Sequence, residues 1–277
     1  MNKKMSLGGT PARTNSFRGF PGTTALALTC AVLVIPAVWS AEITVATSGA
    51  FTGVFLELAP EYERATHNKL LMETGPSMGT TRDAISTRLE RGEAIDVVIL
   101  SAPVLADLIE QGKVRPDSRV DLAKSSIGMA VKAGTPESDI STLDALKQTL
   151  LAAKSIAYSD SVSGVHLVTE LFPRLGIADQ IRGKAGKIEA VPVGQVVARG
   201  EAEIGFQQIS QLRPVSGIDI AGELPPGAQR VTVFAAGIPS TAKQPDLAKA
   251  LIQWLESPAV YPVVSKSGLQ QIAVEPK

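Results

Sequence analysis

Apolar and polar positions set the first elements of this chain. Ile43 and Val45 alternate with Thr44 and Ala46, the period of two that marks a short strand. The run stops at Thr47-Ser48-Gly49, and a helical pattern follows over Thr52–Thr66 with Val54, Leu58 and Tyr62 on one stripe. Lys69–Glu73 reads as a second strand. It ends in Gly75-Pro76-Ser77-Met78-Gly79-Thr80-Thr81, ahead of a helix over Thr81–Arg91 that turns Ile85 and Leu89 inward. Asp96–Leu100 is almost continuously apolar, as a strand buried on both faces of a parallel sheet must be. Ser101-Ala102-Pro103 closes it, with proline suited to a first helical turn, and helix Val104–Gln111 follows. Three strand–helix units in succession predict an α/β fold on a parallel sheet.

Val120–Ala133 breaks this rhythm with a long extended stretch, alternating around Ile127, Met129 and Val131, and reads as a crossing into a second domain. A helix from Ser141 to Ala153 and a strand over Ser155–Tyr158 come next. The turn Ser159-Asp160-Ser161-Val162-Ser163-Gly164 then opens a helix over Val165–Leu175. Further strands are expected at Lys187–Pro192 and Ile204–Ile209, with a short helix Gly194–Arg199 between them. Val231–Ala236 is a return strand, and helices cover Asp246–Leu255 and Ala259–Lys266. No low-complexity linker separates the halves, so extended crossings would join them, an arrangement suited to a hinge. The division expected is 41–122 with 235–277 in one lobe and 123–234 in the other.

The recurring feature is a strand that ends in small hydroxyl residues and feeds a helix. Such a turn directs unpaired backbone N–H groups and the positive end of a helix dipole toward one point, which suits an anion. The same residue types also serve as ordinary helix caps. Recurrence in both halves favours binding, with Ser48 and Ser161 able to cap and bind at once. Thr80 and Thr81 are as readily caps as ligand contacts. Arg82 could reach a carboxylate but lies beside Asp83, and Arg88 and Arg91 belong to a helix surface.

The first forty residues carry Lys3, Lys4, Arg13 and Arg18 and no acidic residue. An apolar run from Ala25 to Val38 leads to Val38-Trp39-Ser40, so 1–40 is expected to be a secretory signal peptide cut after Ser40. The run is short for a membrane span. Cys30, the only cysteine, lies within it, so the exported chain would have no disulfide, thiolate nucleophile or thiolate metal site. Four of the 27 basic residues are lost with it, leaving 23 against 27 acidic, a net charge of −4. Neither nucleic acid nor an anionic membrane is indicated. His67 and His166 are too far apart for a zinc pair, and the reading calls for no cofactor and no metal.

Taken together, the turn after the first strand, the ERGEAIDVVILSA segment, the crossing with Gly128, Ala130 and Val131, and the SDSVSG turn resemble the periplasmic solute-binding proteins of the molybdate-binding type. The resemblance spans the mature chain. It implies a two-lobed α/β fold, type II, with a ligand cleft between lobes joined by extended hinge strands. It also implies an oxyanion held by hydroxyls and main-chain N–H groups rather than arginine, at Ser48, Ser77 and Ser161 or Ser163. One departure matters: where those proteins commonly have a tyrosine, GEAEIGFQQ places Phe206-Gln207-Gln208. Glutamine both donates and accepts, and so suits a ligand with protonatable or carbonyl groups better than a bare tetrahedral oxyanion. The patterns GPSMGTT, AYSDSxSGV and EIGFQQ resemble a narrower set that includes the periplasmic aconitate isomerases.

Two functions follow from that resemblance. One is an isomerase moving the double bond of aconitate by allylic proton transfer; the other is a receptor delivering molybdate or another small anion to an ABC transporter. The expected ligand contacts are Thr47, Ser48, Gly49, Ser77, Thr80, Ser161, Ser163 and Gln207, in a monomeric periplasmic protein. Histidine titrates at about 6.5 and can exchange protons near neutrality. His166, one turn beyond the SDSVSG loop, is therefore the expected base, and Asp160 is next in line.

Overall fold

A computed structural model describes residues 41–272 except 80, 137 and 190. Residues 1–40, and with them the expected signal segment and Cys30, lie outside the described residues, as does Thr80. In chain order the first half is β1 (Glu42–Thr47), α1 (Gly49–Thr66), β2 (Lys69–Thr74), α2 (Ile85–Glu90), β3 (Val97–Ser101), α3 (Ala102–Glu110) and β4 (Val120–Ser125). The second run is β5 (Ile127–Lys132), α4 (Leu143–Ala152), β6 (Ile156–Ser159), α5 (Val162–His166), a π-helical turn Leu167–Leu171, α6 (Phe172–Arg174) and α7 (Ala178–Ile181). It continues through β7 (Ala185–Ile188), α8 (Val193–Ala198), β8 (Ile204–Gln208), α9 (Ile209–Leu212) and β9 (Ile218–Glu223). The chain closes with β10 (Thr232–Gly237), α10 (Pro245–Glu256), α11 (Tyr261–Lys266) and β11 (Gln270–Gln271).

These strands form two sheets. The first has the order β11-β4-β10-β3-β1-β2 and the second β7-β6-β8-β5-β9. Both are mixed rather than purely parallel. β1 pairs parallel with β2 and β3, while β10 runs antiparallel to β3 and β4. In the second sheet β6 pairs parallel with β7 and β8, and β5 runs antiparallel to β8 and β9. The chain changes sheets between Ser125 and Ile127, and again between Glu223 and Thr232.

Strand alternation divides the cores. All of β3 is buried. Val97 and Ile99 face Phe51, Phe55 and Leu58 of α1 and Leu251 and Leu255 of α10, whereas Val98 and Leu100 face Ile85, Leu89, Leu105 and Leu108. The second sheet has Ile127, Met129, Ile156 and Phe206 against Leu146, Leu167 and Phe172 on one side, and Val193, Val196 and Val197 on the other. Burial of each large side chain stabilises by about 1.5–3 kcal/mol. Each sheet with its covering helices therefore has its own core, and the two units are lobes.

The extended stretch Val120–Ala133, read as a crossing into a second domain, is two strands in two sheets, β4 and β5, which change over at Ser126. Glutamine amides hold both crossings. Gln229 clasps Ile127, its Oε1 accepting from the Ile127 N–H (2.8 Å) while its Nε2 donates to the Ile127 carbonyl (3.0 Å). Gln208 lies between Thr232 and Ser125-Ser126. In the orientation that pairs every group, its oxygen accepts from Thr232 Oγ1 (3.0 Å) and its nitrogen faces Ser125 Oγ (2.8 Å) and the Ser126 carbonyl (3.2 Å). The strand β9 has no counterpart in the hydrophobic pattern. It is a half-exposed edge whose register with β5 shifts between Met129 and Ala130, at the glycine Gly222 with φ 149°.

Candidate functional site

A cavity of about 470 Å³ lies between the lobes. It is built from the ends of strands and the starts of the helices that follow them. Ser48, Ser101, Ser161, Pro192 and Gln208 all line it, and these are the residues that precede α1, α3, α5, α8 and α9. Each turn therefore brings the start of a helix to one volume, although the first N–H of α8 is taken by Gln207 and that of α9 by the Ser126 carbonyl. No lysine or arginine lines the cavity among the described residues. The groups that could face an anion there are hydroxyls, amides and peptide N–H groups.

On the first lobe, Ser48 is 5% exposed and Ser101 2% exposed, and neither hydroxyl has a protein partner. Neither caps its helix. Ser77 Oγ accepts the Ser101 N–H at 3.2 Å, which ties the Gly75–Thr81 loop to the end of β3. Buried hydroxyls left unpaired are costly, so their place at the wall of a polar cavity points to a ligand.

On the second lobe, Ser159, Ser161 and Ser163 bring their hydroxyls together. The separations are 2.7 Å (Ser159–Ser161), 3.0 Å (Ser161–Ser163) and 3.2 Å (Ser159–Ser163). Gly164 makes this tight turn: a Cβ there would sit 1.6 Å from the Ser159 carbonyl oxygen. Gln207 Oε1 accepts the Val193 N–H at 3.0 Å, so the amide is fixed at the start of α8. Gly49 meets the opposite lobe, since a Cβ there would come within 2.3 Å of Gln211 Nε2.

Three carboxylates line the cavity: Asp83, Asp160 and Glu189. Asp160 is the most enclosed of them. Burial pushes its carboxyl above the usual aspartate range, its own backbone N–H pulls it down, Glu189 and Asp83 push it up, and Lys187 pulls it down.

Of the expected contacts, Ser48, Gly49, Ser77, Ser161, Ser163 and Gln207 line this one cavity, with Thr81 and Asp160. Thr47 does not: it is fully buried and its hydroxyl donates to the Ser48 carbonyl at 3.2 Å. Arg82 lies instead in a neighbouring surface groove with Arg88, Arg91 and Glu93, and Asp83 is common to groove and cavity.

His166 is displaced from its expected place. It does not line the cavity, is 4% exposed, and has both ring nitrogens engaged. Nδ1 lies 3.1 Å from Glu170 Oε2 and Nε2 3.1 Å from the Ala228 carbonyl. The helical turn that begins at Val162 carries residue 166 to the face packed on the loop before β10. Ser101, Ser159 and Gln211 also line the cavity without being among the expected contacts, and so does Gln208, noted beside Gln207 in the sequence but not expected as a contact. Ser101 could have been found, because it ends its strand just as Ser48 follows β1.

An aconitate isomerase from Pseudomonas sp is 45% identical over 261 residues, covering 93% of this chain and 100% of that protein. The molybdate-binding protein ModA of Azotobacter vinelandii is 24% identical over 248 residues, covering 85% of this chain and 92% of that one. Among solved structures, the Azotobacter vinelandii periplasmic molybdate-binding protein superposes with a TM-score of 0.68 at 20% identity, over 85% of this chain and all of that one. PEB3 bound to L-phospholactate superposes with a TM-score of 0.64 at 14% identity, over 83% of this chain and all of that one. The fold is thus the two-lobed, type II α/β fold of periplasmic binding proteins, its cleft between lobes joined by extended crossings. The model of the bacterial extracellular solute-binding proteins matches residues 43–270, and this chain belongs to that family.

Proposed function

We propose that this protein is a periplasmic aconitate isomerase, converting trans- to cis-aconitate in the cavity between its lobes. The carrying observation is the 45% identity to an aconitate isomerase along that protein's whole length. The site's chemistry agrees. A cavity of about 470 Å³ is within the range of small-ligand sites. It offers hydroxyls and helix N-termini on two opposed walls, a fit for a small acid with several carboxylates. Ser48, Gly49 and Ser77 with Ser101 take carboxylate oxygens from the first lobe, and Ser161, Ser163 and Gln207 from the second. The lobes are the two sheet units, approximately 41–122 with 235–277 and 123–234.

The reaction is a 1,3-proton shift. A proton leaves the methylene carbon, the double bond moves by one position, and a proton returns to the former vinyl carbon. The skeleton is unchanged and the new double bond has the cis geometry. Charge that develops on the carboxylate oxygens as the proton leaves meets donors already aimed there, at no cost of reorganisation. No cofactor enters this scheme.

A second reading has its own support in the ModA relative and in a wall of hydroxyls and amides with no cation. It is a monomeric receptor that hands molybdate or another small anion to an ABC transporter. Purified protein incubated with trans-aconitate and followed by proton NMR separates the two. Growth of the cis isomer is the expected result. Tight molybdate binding in calorimetry with no turnover would replace the isomerase by the receptor.

A further inference from the structure

Resting on the isomerase reading, we propose that the Asp160 carboxylate is the group that carries the proton across the allylic unit. The group must be within reach of bound substrate, able to hold and release a proton, and fixed in place. Three titratable side chains line the cavity among the described residues. Glu189 is exposed and paired with Lys187 at 2.6 Å. Asp83 is exposed, on the loop shared with the arginine groove. Asp160 alone is partly enclosed, between Ser159 at the end of β6 and Ser161 at the start of α5. Its N–H donates to the Ile188 carbonyl at 3.2 Å, and the close packing at Gly164 holds the turn. The site thus stands on rigid elements rather than a free loop.

Electrostatics favour the same residue. Desolvation and the nearby Glu189 and Asp83 already raise Asp160, against Lys187 and its own backbone N–H. A bound tricarboxylate adds negative charge beside it and raises it further, toward the pH at which a base works best. His166 is excluded by its place and its two engaged nitrogens. One carboxylate suffices. Its two oxygens are spaced much like the terminal carbons of an allyl unit, so one oxygen takes the methylene proton as the C–H pair moves into the new double bond. The resulting carboxylic acid then returns the proton to the other terminus on the same face. The carboxylate is regenerated and nothing is oxidised or reduced.

The experiment compares wild type with Asp160→Asn and Asp160→Glu, using trans-aconitate for turnover and propane-1,2,3-tricarboxylate, which has no double bond to move, for binding. Asp160→Asn is expected to lose ~10²–10⁴-fold in kcat. It should bind the saturated tricarboxylate at least as tightly as wild type, because one negative charge is gone. In D2O, wild type should place deuterium in the methylene group of recovered substrate and Asp160→Asn should not. Asp160→Glu should regain part of the rate, and its rise of kcat with pH should move along the pH axis. Near wild-type turnover by Asp160→Asn, or retention of its acid limb, would overturn the assignment and leave the isomerase reading standing. Loss of binding together with turnover would make Asp160 a binding residue instead. Absence of turnover in wild type would overturn both.

Discussion

The two walls of the cavity use the same residue type in opposite ways. On the first lobe Ser48 and Ser101 keep their hydroxyls unpaired. On the second, Ser159, Ser161 and Ser163 pair with one another at 2.7–3.2 Å. Away from the cavity, Thr142 shows what such a residue does as a simple cap, its hydroxyl accepting the Ala145 N–H at 3.1 Å. The first wall leaves hydroxyls with no protein partner, while those of the second also hold one another and stiffen the turn. The first wall therefore gains most from a ligand, and the second adds a fixed geometry around Asp160.

The most damaging substitution should strike the stiff wall. Gly164→Ala puts a methyl group 1.6 Å from a backbone oxygen that has nowhere to go. Overpacking typically costs about 1–3 kcal/mol, and a clash this close with backbone should reach the top of that range, so a steep fall in urea midpoint is expected. Next comes the open wall. Ser48→Ala or Ser101→Ala removes a donor to a charged ligand, worth about 1.5–3 kcal/mol, and should weaken tricarboxylate binding ~10–150-fold in calorimetry. The unliganded melting temperature should hold or rise, because no protein hydrogen bond is lost. A drop in that temperature would break the contrast between the walls.

Ser159→Ala sharpens the contrast from the other side. It should cost about 1 kcal/mol in stability without ligand, since its hydroxyl is paired within the protein. The smallest effect concerns pH. Because the folded state raises Asp160, the folded protein binds that proton more tightly than the unfolded chain does. The term favours folding in acid and fades as pH climbs through the raised value. Asp160→Asn should therefore melt higher than wild type near neutrality, with the gain shrinking below the usual aspartate range. A constant gain at every pH would mean that packing, not charge, is responsible.

Much of this was legible in residue order. Alternation at Ile43 and Val45, the apolar run into β3, and hydroxyl residues at each strand end gave the two-lobed fold and most of the cavity wall. What the pattern could not give was direction. Thr47 and Ser48 are adjacent, yet only Ser48 lies on the cavity, because one residue is half a pleat from the next. His166 is five residues past Ser161, and the helical turn carries it to the far face, against Ala228. Local chemistry made it attractive; a contact 62 residues away decided its place. The edge strand β9 escaped because edges need little apolar content. The crossing between sheets was read over Val120–Ala133, but its point at Ser126 escaped because a change of sheet leaves no mark on alternation.

A cavity that offers an anion hydroxyls, amides and helix starts, with no lysine or arginine among the described residues, has a grip that can be taken apart. A cation stays charged wherever its lobe goes, but this grip exists only while two sets of helix starts face each other. The starts of α1 and α3 belong to one lobe, and those of α5, α8 and α9 to the other. Were the lobes to part at the Ser126 crossing, the donors would be divided and water admitted to both halves. The same motion that opens the exit also loosens the hold, so an anion leaves without any bound charge having to be neutralised first.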